Sequence, residues 1–350
     1  MPASDDQADN PQSRIPLAPG KLPGALLDRL IDTYRTAPDP SVLVTPGYGR
    51  DAAAIDVGGA QPLIVKSDPI TFATSGAARY LVAVNANDIA CLGGIPRWMS
   101  VVLLLPETST TEDTVETLFS DLQIACNESG VSIVGGHTEV TSAVNRPVFI
   151  GTMLGVAGPH GLIEPGQANE GDDLWLTRWI GIEGTALLAR ERGAELSQAI
   201  GAPTVSRAAK LLRSPGIGIT RDAHALLESG GISALHDPTE GGIATAVHEI
   251  SSASGCGAEI LAEAIPILPE TIAICTHFGI DPLGLLSSGA LLAASPPANR
   301  EAIATAANAG GVPITHIGRL TNRGQGVTML GATGRVELRR FDADEVTRVL

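Results

Sequence analysis

Apolar residues recur at helical spacing over residues 22–34, after Pro23 and before Thr36-Ala-Pro, and predict a first helix. Residues 55–57 and 62–66 read as strands on either side of a Gly58-Gly59 turn. Residues 77–91 form a helical pattern with Leu81, Val84 and Ile89 on its apolar face, stopped by Gly93-Gly94. A continuous apolar run over 98–105 predicts a strand. Residues 111–129 predict an amphipathic helix with Leu118, Leu122 and Cys126 on one face and Gly130 as its cap. A short strand over 131–134 is expected to run into a Gly135-Gly136 turn, and 148–156 is a further strand.

The texture then changes. Gly158-Pro-His-Gly and Glu164-Pro-Gly-Gln-Ala-Asn-Glu-Gly are turn-rich, and a domain boundary is expected near residue 165. Beyond it, strands are predicted at 173–177, 290–294 and 314–320, and helices at 183–193, 206–212, 221–229, 239–253 and 300–309. Interleaved strands and helices in both halves predict an α+β or mixed α/β fold with domains at 15–165 and 166–350. Residues 1–14, rich in Asp, Ser, Gln and Pro, read as a disordered tail.

Composition narrows the function classes. A chain of 350 residues fits two cores, and with 3% aromatics those cores must be built from Ala, Val, Ile and Leu. A net charge of -15 argues against a nucleic-acid or anionic-membrane surface. It does not argue against a nucleotide, because carboxylates can hold Mg²⁺ and the metal neutralises the phosphates. Cys91, Cys126, Cys256 and Cys275 form no Cys-x-x-Cys pair. With a polar start to the chain and no apolar stretch of about 18 residues, they read as reduced thiols of a cytoplasmic protein.

Four segments of the first half set carboxylates or small polar residues beside turns: Gly47-Tyr-Gly-Arg-Asp51-Ala-Ala-Ala-Ile, Lys66-Ser67-Asp68-Pro69, Asn85-Ala-Asn87-Asp88-Ile-Ala, and Gly135-Gly136-His137-Thr138-Glu139. Each has a structural reading: Asp51 as a cap, Asp68 before Pro69 as turn chemistry. The third departs most from it, since Asn and Asp are poor helix-interior residues. Asn85 and Asp88 share one helix face, where buried polar groups must find partners. In the fourth, two glycines leaving a strand allow backbone N–H groups to approach a phosphate. Several carboxylates without a Cys/His cluster favour Mg²⁺. In the second half, Trp179-Ile-Gly181-Ile-Glu183-Gly184-Thr185 and His236-Asp237-Pro238-Thr239-Glu240-Gly241-Gly242 each lead into a helix. A Gly-rich turn at a helix start is either an anion site or a capping and packing device.

Together these segments resemble the aminoimidazole ribonucleotide synthase (PurM-like) superfamily, which includes HypE of hydrogenase maturation, selenophosphate synthetase and thiamine-monophosphate kinase. Gly49-Arg-Asp51-Ala-Ala-Ala-Ile is similar to its Gly-(Asp/Glu)-Asp-Ala-Ala-Val-Ile. Asn87-Asp88-Ile-Ala-Cys-Leu-Gly-Gly-Ile-Pro is similar to its Asn-Asp-Leu-Ala-x-x-Gly-Ala-x-Pro. His236-Asp-Pro-Thr-Glu-Gly-Gly is similar to His-Asp-Pro-Thr-Arg-Gly-Gly of HypE.

The resemblance implies an N-terminal domain that dimerises through its sheet, an α+β C-terminal domain, and ATP chemistry on a small substrate of amide or carbamoyl type, by phosphoryl transfer or dehydration. It implies Asp51, Asp68 and Asp88 as holders of Mg²⁺. Asp51, Asp88, His137 and Asp237 become catalytic candidates. Lys66, Asp68, Asn85, Asn87, Gly135, Gly136, Glu139, Glu183, Gly184, Thr239, Gly241 and Gly242 become cofactor-binding candidates. A homodimer and a maturation-protein partner are also implied.

Two departures stand out: Glu240 replaces the Arg of the HypE motif, and no cysteine follows Cys275, whereas HypE ends in a tail with a terminal Cys. The expectation is a HypE-like protein without that tail. Two alternatives are a non-catalytic ATP-binding maturation or regulatory protein and, ranked lower, a thiamine-monophosphate kinase-like enzyme.

Overall fold

A computed structural model describes residues 22–350 of the protein, apart from 35, 46, 48, 72, 74 and 75. The expected tail at 1–14 lies outside the described residues.

The first half begins with helix α1 (Gly24–Thr33) and builds one sheet from β1 (Val42–Val44), β2 (Ala53–Ile55), β3 (Leu63–Ile70), β4 (Gly94–Pro106), β5 (Ser132–Thr141) and β6 (Val148–Ala157). Helices α2 (Ala77–Cys91) and α3 (Glu112–Glu128) pack with it. The strand order is β1-β2-β3-β6-β4-β5; β4 and β5 are parallel and the other pairs antiparallel.

The second half contains α4 (Ile182–Glu191), α5 (Gly193–Leu196), α6 (Ala202–Lys210), α7 (Thr220–Leu227), α8 (Gly242–Ser254), α9 (Pro269–Phe278) and α10 (Arg300–Gly310). Its strands are β7 (Asp173–Thr177), β8 (Ala234–His236), β9 (Gly257–Leu261), β10 (Leu292–Ser295), β11 (Ile314–Thr321), β12 (Val327–Gly331) and β13 (Gly334–Glu337). They form a seven-stranded sheet in the order β13-β12-β9-β11-β7-β10-β8. Both halves are therefore mixed α+β, as the interleaved pattern predicts.

Helix α2 joins the halves. It packs on β3 and β6 of the first sheet and on α7 and β8 of the second half. Its Leu81, Ala86 and Ile89 lie in the first sheet's core, Tyr80 in a cluster with α4 and α6, and Ala90 and Cys91 in a third cluster with α7 and Trp175. A helix apolar on nearly all sides is one buried on all sides, and only Arg79 and Ala83 of its residues escape full burial.

One expected turn is absent. After a one-residue register shift at Val134, strand β5 continues through Gly135 and Gly136 to Thr141, because the segment pairs with β4: Ser100 with Gly135, Val101 with Gly136, Leu104 with Glu139. Gly136 adopts φ 150°, and a Cβ there would sit 1.9 Å from the Val101 carbonyl oxygen. The glycine is required by this close approach of two strands rather than by a turn. Among the described residues, no helix is long and apolar enough to cross a membrane.

Candidate functional site

Charged side chains converge where the two halves meet. Lys66, on β3, places its Nζ 2.9 Å from Asp88 Oδ2 on α2 and 3.2 Å from Asp68 Oδ2, two residues further along its own strand. Burial opposes the charge on Lys66, but the carboxylates of Asp88 and Asp68 hold its ammonium well above the ordinary lysine range. Asp88 is buried, and that burial raises its pKa well above a normal carboxylate's in spite of Lys66; neighbouring Asp237 adds to the rise.

From the other half, β8 delivers His236 at its end and Asp237 directly after it. His236 lies between two carboxylates: Nδ1 is 2.8 Å from Asp51 Oδ1, and Nε2 is 2.9 Å from Glu249 Oε2 on α8. Burial alone would depress the imidazole, but the flanking carboxylates raise it well above its usual value and keep it cationic. The segment carrying Asp51 is pressed onto α8. Gly49 has φ +75°, and a Cβ there would meet the Glu249 carbonyl oxygen at 2.8 Å. Burial, reinforced by Asp51, pushes Asp237 up to about 6. The Cys91 thiol, one helical turn beyond Asp88, donates to Asp237 Oδ1 at 3.8 Å. Burial among Asp237, Asp51 and Asp88 raises that thiol too, so it rests protonated and is poorly suited as a nucleophile.

Two predicted amides serve this cluster indirectly. Asn85 Oδ1 accepts from the Asp68 backbone N–H at 3.1 Å while its Nδ2 donates to the Leu81 carbonyl at 2.9 Å. It therefore fixes Asp68 rather than facing open space. Asn87 donates to the Ile217 carbonyl at 3.0 Å and accepts from the Ile219 N–H at 2.9 Å, tying α2 to the second half.

Beside Asp68 lies a cavity of about 510 Å³ between the halves. Pro69, Ile70, Val84 and Leu286 give it apolar walls, and Glu183, Thr239, Glu240 and Arg146 also line it. Burial pushes Glu183 up to about 7.

The other candidates are placed differently. His137 and Glu139 sit on the exposed outer strand β5 and pair with each other at 3.1 Å. That strand is three strand spacings from β3, roughly 14 Å. The two Gly-rich helix starts hold protein contacts. Gly181 N–H donates to Ser287 Oγ at 2.8 Å, and Gly184, whose added Cβ would strike Leu285 at 2.4 Å, donates to the Leu286 carbonyl. Gly241 N–H donates to Asp344 Oδ2 at 2.8 Å, and Gly242 N–H to the Thr239 carbonyl at 3.0 Å. His236, Glu249 and Cys91 join the cluster without having been given site roles from sequence. His236 was visible within its motif, but its partner Asp51 is 185 residues away and Glu249 stands in an ordinary helical pattern.

Around this junction the carboxyl groups of Asp51, Asp68, Asp88, Asp237 and Glu249 outnumber the cations Lys66 and His236. An excess of oxygen donors in a buried setting fits a hard divalent cation, and with it a nucleotide's phosphates.

The chain matches known proteins over most of its length. Residues 49–157 match the AIR synthase related protein, N-terminal domain, and residues 169–331 match the AIR synthase related protein, C-terminal domain. Carbamoyl dehydratase HypE of Rhizobium leguminosarum bv. viciae is 32% identical over 271 residues, covering 75% of this chain and 73% of that protein. A solved HypE–HypF complex superposes with a TM-score of 0.72 at 21% identity, over 91% of this chain and 100% of that chain. A HypE solved in complex with ATP superposes with a TM-score of 0.66 at 24% identity, over 92% and 96%. At those identities the two structures establish a common fold. With both of its halves matched and a relative at this identity, the chain belongs to the AIR synthase-related, PurM-like family.

Proposed function

We propose that the protein is an ATP- and Mg²⁺-dependent enzyme that activates a small amide- or carbamoyl-type substrate by phosphoryl transfer or dehydration. The observation that carries this reading is the junction itself: Lys66, Asp68 and Asp88 from one half meet Asp51, His236 and Asp237 beside a cavity of about 510 Å³. The relative named above is a carbamoyl dehydratase, and one solved HypE holds ATP.

Asp51, Asp68 and Asp88 would hold Mg²⁺, which supplies charge neutralisation to the transferred phosphoryl group. Phosphoryl transfer needs positioning and electrostatic stabilisation more than covalent chemistry from the protein. The surrounding residues fit that demand. Lys66 holds Asp68 and Asp88 on either side of its ammonium, and Asn85 fixes the Asp68 backbone. His236 orients Asp51 while Glu249 holds the far side of the ring. Pro69, Ile70, Val84 and Leu286 would give the acceptor an apolar wall beside these polar groups.

Titration of ATP by calorimetry with and without Mg²⁺, followed by ADP release in the presence of candidate amides, tests the reading. Mg²⁺-dependent binding that vanishes in Asp88→Asn supports it; no nucleotide binding with any metal overturns it.

A second reading, a non-catalytic ATP-binding maturation or regulatory protein, draws on Glu240, which puts a carboxylate on the cavity wall where the HypE motif carries Arg. ATP turnover by the wild type that is lost in Asp51→Ala would exclude it.

A homodimer formed through β5 belongs to the same proposal. Among the described residues this outer strand pairs with β4 alone, and Ile133, Val134 and Val140 are exposed along it. A maturation-protein partner and a cytoplasmic location complete it, in keeping with the HypE–HypF complex among its structural neighbours.

A further inference from the structure

We propose that Tyr80 and Glu183 read the acceptor's amide: the Tyr80 phenol donates to its carbonyl oxygen and the Glu183 carboxylate accepts from its N–H, so that the cavity selects a carboxamide over the matching carboxylate or ester. This assignment rests on the acceptor class proposed above and names the residues that discriminate it. Tyr80 comes from α2 and Glu183 from the first turn of α4, and both line the cavity of about 510 Å³ between the halves.

The phenol is the observation that points to a ligand. Tyr80 is 1% exposed, and its Oη has no hydrogen-bond partner among the described residues. Its ring belongs to an apolar cluster with Ile182 and Leu187. A phenylalanine would serve that packing as well, and a buried hydroxyl left unbonded only adds a cost. Burial, reinforced by the Glu183 charge, raises the phenol well above its ordinary range, so it stays protonated and able to donate. Glu183 supplies the complementary acceptor. The Ser288 hydroxyl, also on the cavity wall, donates to its carboxyl, and the remaining lone pairs are left for an N–H donor. A carboxamide presents one carbonyl acceptor beside an N–H donor, the complement of this pair. An ester lacks the donor, and a site built to hydrogen-bond a group rejects the analogue without it. A carboxylate lacks the donor too, and it would bring a negative charge to a wall that carries Asp68, Glu183 and Glu240 against Arg146.

The test uses the full-length protein and three probes that share a propyl chain and differ only in the head group: butyramide, butyrate and methyl butyrate. Each is titrated at pH 8, above the value of about 7 to which burial raises Glu183, and binding is followed by saturation-transfer NMR. Butyramide is expected to saturate, with butyrate and the ester at least tenfold weaker. Tyr80→Phe should weaken butyramide at least fivefold. Glu183→Gln removes the charge and adds a donor, so the preference for butyramide over butyrate should fall at least tenfold through a gain in butyrate binding. A destabilised variant would not produce that gain, which keeps the proposal testable if Tyr80→Phe folds poorly. Absence of saturable butyramide binding, equal binding of the three probes, or an unchanged preference in Glu183→Gln would overturn the assignment. These titrations contain neither nucleotide nor metal. A wild type that binds Mg²⁺–ATP but shows no amide preference loses this assignment alone, and one that prefers the amide but binds no ATP loses the nucleotide reading alone.

Discussion

Helices α2 and α3 are close in length and belong to the same half of the protein, yet they obey different rules. Helix α3 is amphipathic in the ordinary way. Leu122, Ala125 and Cys126 are buried, Phe119 and Ile124 remain exposed, and Thr111 caps the start by accepting from the Thr114 N–H at 3.2 Å. Helix α2 is buried nearly all round, yet it keeps Asn85, Asn87 and Asp88 in its interior. Each of these three has a defined partner from outside the helix: the Asp68 backbone, the 217–219 segment, and Lys66. Polar residues retained in a fully buried helix mark the place where halves are joined and charge is gathered. Polar residues on α3 mark a wet face.

This contrast predicts unequal consequences. The largest effect is expected at Asp88. Asp88→Asn removes one partner of Lys66 and a proposed metal ligand, and should lower ATP-dependent turnover about a hundredfold or more. Steady-state ADP release measures it, and a near-normal rate would place the chemistry elsewhere.

Next comes Asn87→Ala, which breaks two buried bonds between the halves and leaves the Ile217 carbonyl and Ile219 N–H without their partner. A loss of about 2–4 kcal/mol of stability is expected, read from chemical denaturation. A loss below half of that would mean that apolar packing, not Asn87, joins the halves.

The third expectation concerns pH. Burial raises Glu183 to about 7 and Asp344 to about 7, both above their unfolded values of 4.5 and 3.8. A raised carboxyl contributes stability that is fully present below its unfolded pKa and lost as pH rises through the folded one. Each group should therefore cost on the order of 3 kcal/mol between pH 4.5 and pH 8, and Glu183→Gln should remove its share of the slope. Melting temperatures across that range, compared between wild type and variant, check it.

The smallest effect is expected on α3. Thr111→Ala loses a helix cap worth about 1 kcal/mol and should leave nucleotide binding unchanged. A matching loss of ATP affinity would blur the distinction between the two helices.

Much of the frame was legible in the sequence because it depends on local pattern. Helix α2 occupies the predicted 77–91, and β6 extends its prediction by one residue. The strands β1, β8, β9, β12 and β13 and the helix α9 went unpredicted; the strands are three to five residues long, and at that length alternation separates strand from loop only where a run such as Leu174-Trp-Leu of β7 stands out. At Gly135-Gly136 local chemistry was misleading, since two glycines announce a turn and only the approach of β4 explains why a strand needs Gly136. In the junction, Asp51, Lys66, Asp68, Asp88 and Asp237 could be named from their motifs. The pairing of His236 with Asp51 and Glu249 could not, because it spans the two halves and no spacing encodes it. The same is true of Gly241, where the tertiary partner Asp344 takes the amide that an anion would use.

The proposed function stands on the carboxylates carried by β3, α2 and the segment before β2 holding Mg²⁺ and, through it, ATP. Calorimetric titration of ATP into the wild type and Asp68→Asn, each with and without Mg²⁺, tests it most directly. Saturable binding is expected in the wild type only when Mg²⁺ is present, weakened at least tenfold by Asp68→Asn, a substitution on the cavity wall that leaves the buried Lys66–Asp88 pair intact. Equal binding with and without the metal, or equal binding by both proteins, would contradict it.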